Sequence, residues 1–168
     1  FRRVLFRSFR AQLKTFGVEI EEGESKRIVD TYRQTYPAIP ALWRNAEDGL
    51  QAMAYGNACQ IDAQGIIACV PGKGISLPNG LFVQYPELRK VLKDDGKSAW
   101  QYMSKGSPVF IYGGKCVENF TQAVARCIVG EQMLRIAKRY KPVLTVHDAV
   151  ACVAPEAEVE EAEQYVVE

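Results

Sequence analysis

The sequence Leu144-Thr145-Val146-His147-Asp148-Ala149-Val150 places a polar pair between two apolar runs of β-forming residues. Two such runs separated by two polar residues predict a β-hairpin with His147 and Asp148 at its tip. A carboxylate that projects from a rigid hairpin suits a hard divalent cation such as Mg²⁺, which prefers oxygen ligands and takes few of them from protein. The same spacing also fits a plain turn, in which Asp serves only the turn geometry.

A long helix is predicted immediately before this hairpin, over residues 116–140. Apolar side chains recur there at helical steps, no proline interrupts them, and Pro142 ends the pattern. The apolar stripe that we expect to be buried consists of Val117, Phe120, Val124, Ile128 and Leu134. Steps of three and four residues place four polar side chains together on an opposite face: Lys115, Glu118, Gln122 and Arg126.

The first third of the chain is predicted to be helical. Helical spacing covers residues 9–16, 25–36 and 41–55. Ser25 is a candidate N-cap for the second of these helices. Pro37 and Pro40 are expected to separate the second helix from the third, because proline interrupts helical hydrogen bonding.

The middle of the chain changes to a strand-like pattern. Strands are predicted at 66–70, 81–85 and 110–112, with an Asn-Gly turn before the second strand. Residues 86–108 are polar and mixed, which predicts a connection with short pieces of structure. An acidic helix is predicted at 156–168. The fold class is therefore α/β (α+β), with antiparallel strands packed on long helices.

Composition limits the class of protein. The chain has 168 residues, 48% of them hydrophobic and 24% charged, which is ordinary for a globular domain or a piece of one. Its formal charge of +1 neither indicates nor excludes binding to nucleic acid. Five cysteines without a C-x-x-C pair predict reduced thiols rather than a disulfide framework or a zinc site. No apolar run approaches the roughly 18 residues that span a bilayer, and no signal peptide is evident, so we expect a cytoplasmic protein.

Two segments resemble motifs of the family A DNA polymerases of the bacteriophage kind. Val146-His147-Asp148 resembles motif C, usually written V-H-D-E. The pattern Y-G-G-K-x-V-E-N-x-x-Q-A-x-A-R precedes motif C in those enzymes, and it is similar to Tyr112-Gly113-Gly114-Lys115, Val117-Glu118-Asn119, Gln122-Ala123 and Ala125-Arg126.

Two further segments resemble the same family, in the same order along the chain. The segment that follows the fingers is similar to Tyr32-Arg33, Tyr36-Pro37-x-Ile39 and Leu42-Trp43. The hairpin after it is similar to Leu77-Pro78-x-Gly80 with Tyr85-Pro86. The likeness covers roughly residues 9–168, and four ordered matches make it more specific than a lone His-Asp pair.

The resemblance implies part of the palm of a right-hand polymerase, with helices from the base of the fingers. It assigns residues 9–56 to the C-terminal part of the fingers and 57–168 to part of the palm, including the motif C hairpin. Residues 1–8 begin without Met and carry three Arg, so they are a candidate leader foreign to the natural protein. Because Glu168 falls within a helical pattern, we expect the chain to be a piece of a longer polymerase.

The implied reaction is template-directed DNA synthesis for DNA replication. A primer 3′-hydroxyl attacks the α-phosphate of a deoxynucleoside triphosphate and pyrophosphate leaves. Enzymes of this kind use two Mg²⁺ ions, typically about 3.5–4 Å apart, which bind the attacking and leaving oxygens. The implied partners are primer–template DNA, deoxynucleoside triphosphates and the remainder of the polymerase chain, in the cytoplasm of a bacterial host.

The motif match also assigns roles to single residues. Asp148 matches the motif C carboxylate that holds metal, and His147 matches a residue near the primer terminus, so both are expected to be catalytic. Gln122 matches a helix glutamine placed near the minor groove of the duplex.

The neighbours of Gln122 on the long helix are assigned to nucleic-acid binding as well. Lys115 and Arg126 are expected to meet phosphate or sugar, which sets position rather than sequence. Glu118 and Asn119 belong to the same matched segment. The alternative is a solvated helix face held by pairs such as Glu118 with Gln122.

The chain departs from the family pattern in ways that limit the assignment. Ala149 stands where the family has a second motif C glutamate. The motif A aspartate and the fingers helix that would hold the triphosphate are not in this sequence. One carboxylate cannot build a two-metal site, so we do not expect the chain to polymerise by itself.

Three other classes of protein compete with this interpretation. A non-catalytic nucleic-acid-binding module derived from a polymerase is the main alternative, because the catalytic set is incomplete. An HD-type metal phosphohydrolase needs several histidines, and this chain has one. A structural protein without catalytic function stays open.

Overall fold

A computed structural model of the chain describes the backbone of residues 2–167 and the side chains of residues 8–167. The chain divides into two compact units, residues 1–44 and 45–168. Phe1, the side chains of residues 2–7 and Glu168 lie outside the described residues, and with them most of the candidate leader and the proposed truncation point. The division into fingers (9–56) and palm (57–168) stays a prediction.

The first unit contains two helices, α1 (Arg2–Thr15) and α2 (Glu22–Thr35), and the start of α3 (Ala38–Ala54). Helices α1 and α2 contact each other. Arg10 Nε donates a hydrogen bond to the carbonyl of Ile20 at 3.1 Å, which ties α1 to the loop before α2. Val29 is buried on α2.

Two predictions about helix ends in this unit are wrong. Ser25 does not cap α2, because the helix begins at Glu22 and Ser25 is fully buried inside it. The acidic residues of the first turn suit the positive end of the helix dipole and allow this earlier start. Pro37 lies between α2 and α3 as predicted, but Pro40 does not separate them. Pro40 lies in the first turn of α3, where the missing N–H has no helical partner to lose.

The second unit begins with a four-stranded antiparallel sheet whose strands follow sequence order. Its strands are β1 (Cys59–Gln60), β2 (Ala68–Val70), β3 (Gly74–Ser76) and β4 (Phe82–Val83). The C-terminal half of α3 packs on this sheet, and Leu50, Ile61, Cys69 and Ile75 are each at most 2% exposed there. The packing is close at Gly49, where a Cβ atom would lie 2.9 Å from Cys69 Sγ.

A three-stranded antiparallel sheet follows, with strands β5 (Arg89–Leu92), β6 (Ser98–Ser104) and β7 (Ser107–Ile111). Residues 86–108, predicted as a connection with short pieces of structure, instead supply most of this sheet. Its charged residues concealed an alternating pattern in which Trp100 and Ile111 are buried as a cross-strand pair. The turn signal Lys105-Gly106 between β6 and β7 could have found the second hairpin of this sheet.

The second unit ends with a helix, a hairpin and a shorter helix. These are α4 (Gly113–Ile136), β8 (Lys141–Val146), β9 (Ala149–Val153) and α5 (Val159–Val167), with a 3₁₀ turn at Glu156–Glu158 before α5. Strands β8 and β9 pair antiparallel, as predicted, and α4 contacts both of them. The mixed helix-and-strand fold with antiparallel sheets confirms the predicted fold class.

The buried face of α4 differs from the predicted stripe. Ile128 and Leu134 are 54% and 71% exposed, whereas Cys116, Cys127 and Ile136 are buried beside the predicted Phe120. Cysteine packs as a small apolar residue. The predicted stripe counted only larger apolar side chains and therefore omitted Cys116 and Cys127. The helix also ends at Ile136 rather than at residue 140.

Candidate functional site

The hairpin that carries His147 and Asp148 has a two-residue turn. Val146 pairs with Ala149 at the last position of the ladder, so only these two residues lie between the strands. His147 adopts a left-handed backbone conformation with φ of 55°. Both side chains are exposed. Among the described residues, none forms a hydrogen bond or ion pair with the Asp148 carboxylate. The predicted hairpin is confirmed, and its tip presents an oxygen ligand to the surroundings.

A hydrophobic cluster lies beneath one face of the hairpin. Ile136 at the end of α4, Tyr140 and Ala162 of α5 form its buried centre. Val150 and Cys152 of β9 pack against that centre. The edge of α5 is fixed further by an ion pair of 2.6 Å between Arg139 and Glu161. These contacts give the hairpin a rigid base, which a carboxylate needs if it is to be held in a defined position.

The opposite face of the hairpin is apolar and open. Leu144, Val146 and Val153 are 59%, 55% and 58% exposed. Residues 144 and 146 alternate with the inward-facing Thr145, as the period of a strand requires. One face of the hairpin therefore packs against the cluster formed by α4 and α5, and the other face is apolar and exposed to solvent.

The four polar residues predicted to share a face of α4 are all exposed. Within this face, Lys115 Nζ donates to Glu118 Oε1 at 2.7 Å, and this bond raises the pKa of Lys115. The alternative of a solvated helix face held by side-chain pairs named Glu118 with Gln122 as its example, and in the structure Glu118 pairs with Lys115 instead. Gln122 and Arg126 are left available for a ligand on the same face.

Asn119 is placed differently from its predicted companions. It is half-buried, and its Nδ2 donates to the hydroxyl of Tyr85 at 3.2 Å. The Tyr85 hydroxyl in turn donates to Cys116 Sγ at 3.7 Å. Burial raises the pKa of Tyr85, and burial likewise raises the pKa of Cys116 to about 11. The amide of Asn119 is thus engaged inside the protein.

The start of α4 is held by a carboxylate from α3. Glu47 Oε2 accepts a hydrogen bond from the backbone N–H of Gly113 at 2.6 Å. A negative charge at this position favours the helix, because the first backbone N–H groups have no helical acceptors and form its positive end. Sequence reasoning missed both Glu47 and Tyr85, although Tyr85 lies in a segment of the sequence that resembles a polymerase motif.

The residues at the hairpin tip fit a divalent metal in type but not in number. Asp148 offers the hard oxygen that Mg²⁺ prefers. Ala149 contributes none, and no group of three or more His, Cys, Asp or Glu side chains within residues 8–167 could enclose an ion. A set of three or more such side chains around one ion would need a contribution from outside these residues.

Comparison with known proteins finds a similarity to one phage protein. Over 154 residues the chain is 27% identical to the DNA polymerase of Bacillus phage SP02. The aligned region covers 86% of this chain and 24% of that protein, so the chain spans about a quarter of its relative's length. No protein-family model matches the chain. No solved structure matches it either.

Within the part of the chain that the structure describes, no helix is long and apolar enough to cross a bilayer.

Proposed function

We propose that this chain is part of a template-directed DNA polymerase of family A that acts in DNA replication. The observation that carries the proposal is the exposed Asp148 at the tip of a rigidly based hairpin, directly after a helix whose polar face is open. The similarity to a phage DNA polymerase over most of the chain supports it. Four family-like motifs in the family's order support it independently of the overall identity.

The reaction would be nucleotidyl transfer. The primer 3′-hydroxyl attacks the α-phosphorus of a deoxynucleoside triphosphate, a new P–O bond forms, and the bond to pyrophosphate breaks. Two bound Mg²⁺ ions would supply charge stabilisation to the attacking and leaving oxygens. In this chain, Asp148 would hold metal and His147 would lie beside the primer terminus.

Helix α4 would serve the duplex rather than the chemistry. Gln122 would face the minor groove, while Lys115 and Arg126 would meet the sugar–phosphate backbone and set the register of the DNA. Glu118 keeps the Lys115 side chain in place through the 2.7 Å ion pair. The partners are therefore primer–template DNA, deoxynucleoside triphosphates and the rest of the polymerase, in the cytoplasm of the host.

Primer extension by the complete protein that carries this segment tests the proposal. We expect Mg²⁺-dependent incorporation of deoxynucleotides on a primed template, and none by the 168-residue chain alone, since it holds one of the carboxylates needed. A complete protein that binds primed DNA without extending it would contradict the enzymatic proposal.

The second candidate is a nucleic-acid-binding module without catalysis. Ala149 favours it, because the position usually occupied by a second carboxylate carries a methyl group. The two candidates differ in the rest of the reading frame. A motif A aspartate and a lysine-bearing fingers helix favour the enzyme, and their absence favours the binding module.

A further inference from the structure

The hydroxyl of Tyr85 joins two elements that are far apart in sequence. Tyr85 follows the four-stranded sheet, is 8% exposed, and stacks edge-on against Tyr102 of β6 with ring centroids 5.1 Å apart. Its hydroxyl accepts from Asn119 and donates to Cys116, 34 and 31 residues further along the chain. A single buried group therefore connects the region before α4 to two positions on α4 that lie three residues apart.

The neutral hydroxyl suits this double use. Because burial raises the pKa of Tyr85, the phenol keeps its proton and can donate it to Cys116 Sγ. One lone pair remains for the amide of Asn119. Leaving any of these buried polar groups without a hydrogen-bond partner would destabilise the fold. The side chains of Tyr85, Asn119 and Cys116 are therefore held in the orientations that keep both bonds.

Helical geometry places Asn119 between the buried and the exposed side of α4. At 3.6 residues per turn, Asn119 lies about 60° around the axis from Cys116 and about 60° from Gln122 on the other side. The hydrogen bond to Tyr85 therefore fixes the rotation of α4 at the border of its polar face. The contact of Glu47 with Gly113 fixes the start of the same helix.

We propose that Tyr85 and Asn119 form a positioning pair that holds the polar face of α4, and above all Gln122, in register with duplex DNA. Asn119 acts through Tyr85 and does not contact the DNA. This inference rests on the proposed function, because it takes duplex DNA as the ligand of that face. It reassigns Asn119 from nucleic-acid contact to support of the residues that make the contact.

The test measures equilibrium binding of a fluorescent primer–template duplex by the 168-residue chain at low ionic strength. Tyr85→Phe and Asn119→Ala should each weaken binding by about threefold to tenfold, because each removes the hydrogen bond between the two residues. The double variant should bind no more weakly than Tyr85→Phe alone, because Tyr85→Phe has already removed that hydrogen bond. Gln122→Ala should weaken binding more in the unmodified chain than in the Tyr85→Phe variant, because the pair acts through Gln122.

Tyr102→Phe is the matched control. Its ring packs on Tyr85, but its hydroxyl forms no hydrogen bond with a described residue, so its affinity should equal that of the unmodified chain. Amide hydrogen exchange provides a second readout that does not involve DNA. Amide exchange across residues 113–126 should accelerate in Tyr85→Phe and stay unchanged in Tyr102→Phe. Unchanged exchange in Tyr85→Phe overturns the inference.

The binding results separate this inference from the proposal on which it rests. If the unmodified chain does not bind the duplex, the DNA-facing role of α4 fails, and the positioning role fails with it. If the chain binds and Asn119→Ala weakens binding while Tyr85→Phe does not, Asn119 contacts the DNA directly and the inference alone is wrong. Additive losses in the double variant, or unchanged affinity in both single variants, also overturn the inference.

Discussion

Two hairpins of the second unit have turns of equal length and different chemistry. Between β6 and β7, Ser104 pairs with Ser107 around Lys105-Gly106, with φ of 50° and 79°. Between β8 and β9, the turn is His147-Asp148, and only the first residue has positive φ, at 55°. The first turn has the signs of type I′ and the second those of type II′.

The difference between the turns lies in how well their residues suit them. A type I′ turn favours glycine at its second central position, where the β6–β7 hairpin has Gly106. A type II′ turn favours glycine at its first central position, where the β8–β9 hairpin has His147. A non-glycine residue in the left-handed region costs roughly 1–2 kcal/mol. Turn geometry alone thus does not account for His147-Asp148, which is consistent with a use for those side chains.

The largest expected effect concerns Asp148. If the complete protein is the proposed polymerase, Asp148→Asn should reduce its rate of primer extension by about 10³-fold or more. Catalytic residues act as a unit, so removing one of them abolishes most of the rate enhancement. Lys105→Asn, at the tip of the other hairpin, is the matched control and should leave the rate unchanged. Equal rates for the Asp148→Asn and unmodified enzymes would place the chemistry elsewhere.

The second prediction concerns the glycine of the β6–β7 turn. Gly106→Ala should lower the free energy of unfolding by about 1–2 kcal/mol, because a Cβ is strained at φ of 79° although no atom lies within 4 Å of it. Urea unfolding of the chain measures the change. Gly130→Ala is the control, since it also meets no neighbour but lies within α4, where alanine should raise stability by about 0.5–1 kcal/mol. If Gly106→Ala left the free energy of unfolding unchanged, Gly106 would not be held in its left-handed conformation.

The third prediction gives the β8–β9 hairpin a turn chosen for geometry alone. Replacing His147-Asp148 by Asn-Gly should raise the free energy of unfolding by about 0.5–1 kcal/mol, as turn optimisation commonly does. The same change should abolish primer extension by the complete protein. A loss of stability in urea would mean that the native pair already suits its turn, and the contrast between the hairpins would then disappear.

The smallest expected effect belongs to Lys105→Asn. It converts Lys105-Gly106 to Asn-Gly, the preferred type I′ sequence, and should raise stability by a few tenths of a kcal/mol. Thermal unfolding of the Lys105→Asn variant and of the variant with Asn-Gly at residues 147–148 compares the two gains in stability directly. A gain larger than that of the β8–β9 replacement would reverse the ranking of the two turns.

Local patterns explain what the sequence could predict. The β8–β9 hairpin and α4 were predictable because alternation and helical spacing act over neighbouring residues. The exposed polar face of α4 followed from the same spacing. Strands β5 and β6 were missed because Arg89, Lys90 and the charged turn after them resemble a loop until their pairing with Trp100 is known.

Contacts between distant residues explain what the sequence could not predict. Asn119 has the spacing of a residue at the edge of the polar face, and only the fold brings it to Tyr85. Likewise, Glu47 reaches Gly113 across 66 residues. The burial of Cys127 in place of Ile128 depends on which side of α4 meets the rest of the unit.

The position of Asp148 in a ternary complex tests the central claim most directly. The measurement is a high-resolution structure of the complete protein with primed template, a deoxynucleoside triphosphate and Mg²⁺. The account predicts a carboxylate oxygen of Asp148 within about 2.0–2.1 Å of a Mg²⁺ ion beside the primer 3′ end. A complex with bound DNA in which Asp148 points away from the primer and no metal contacts it would contradict the account.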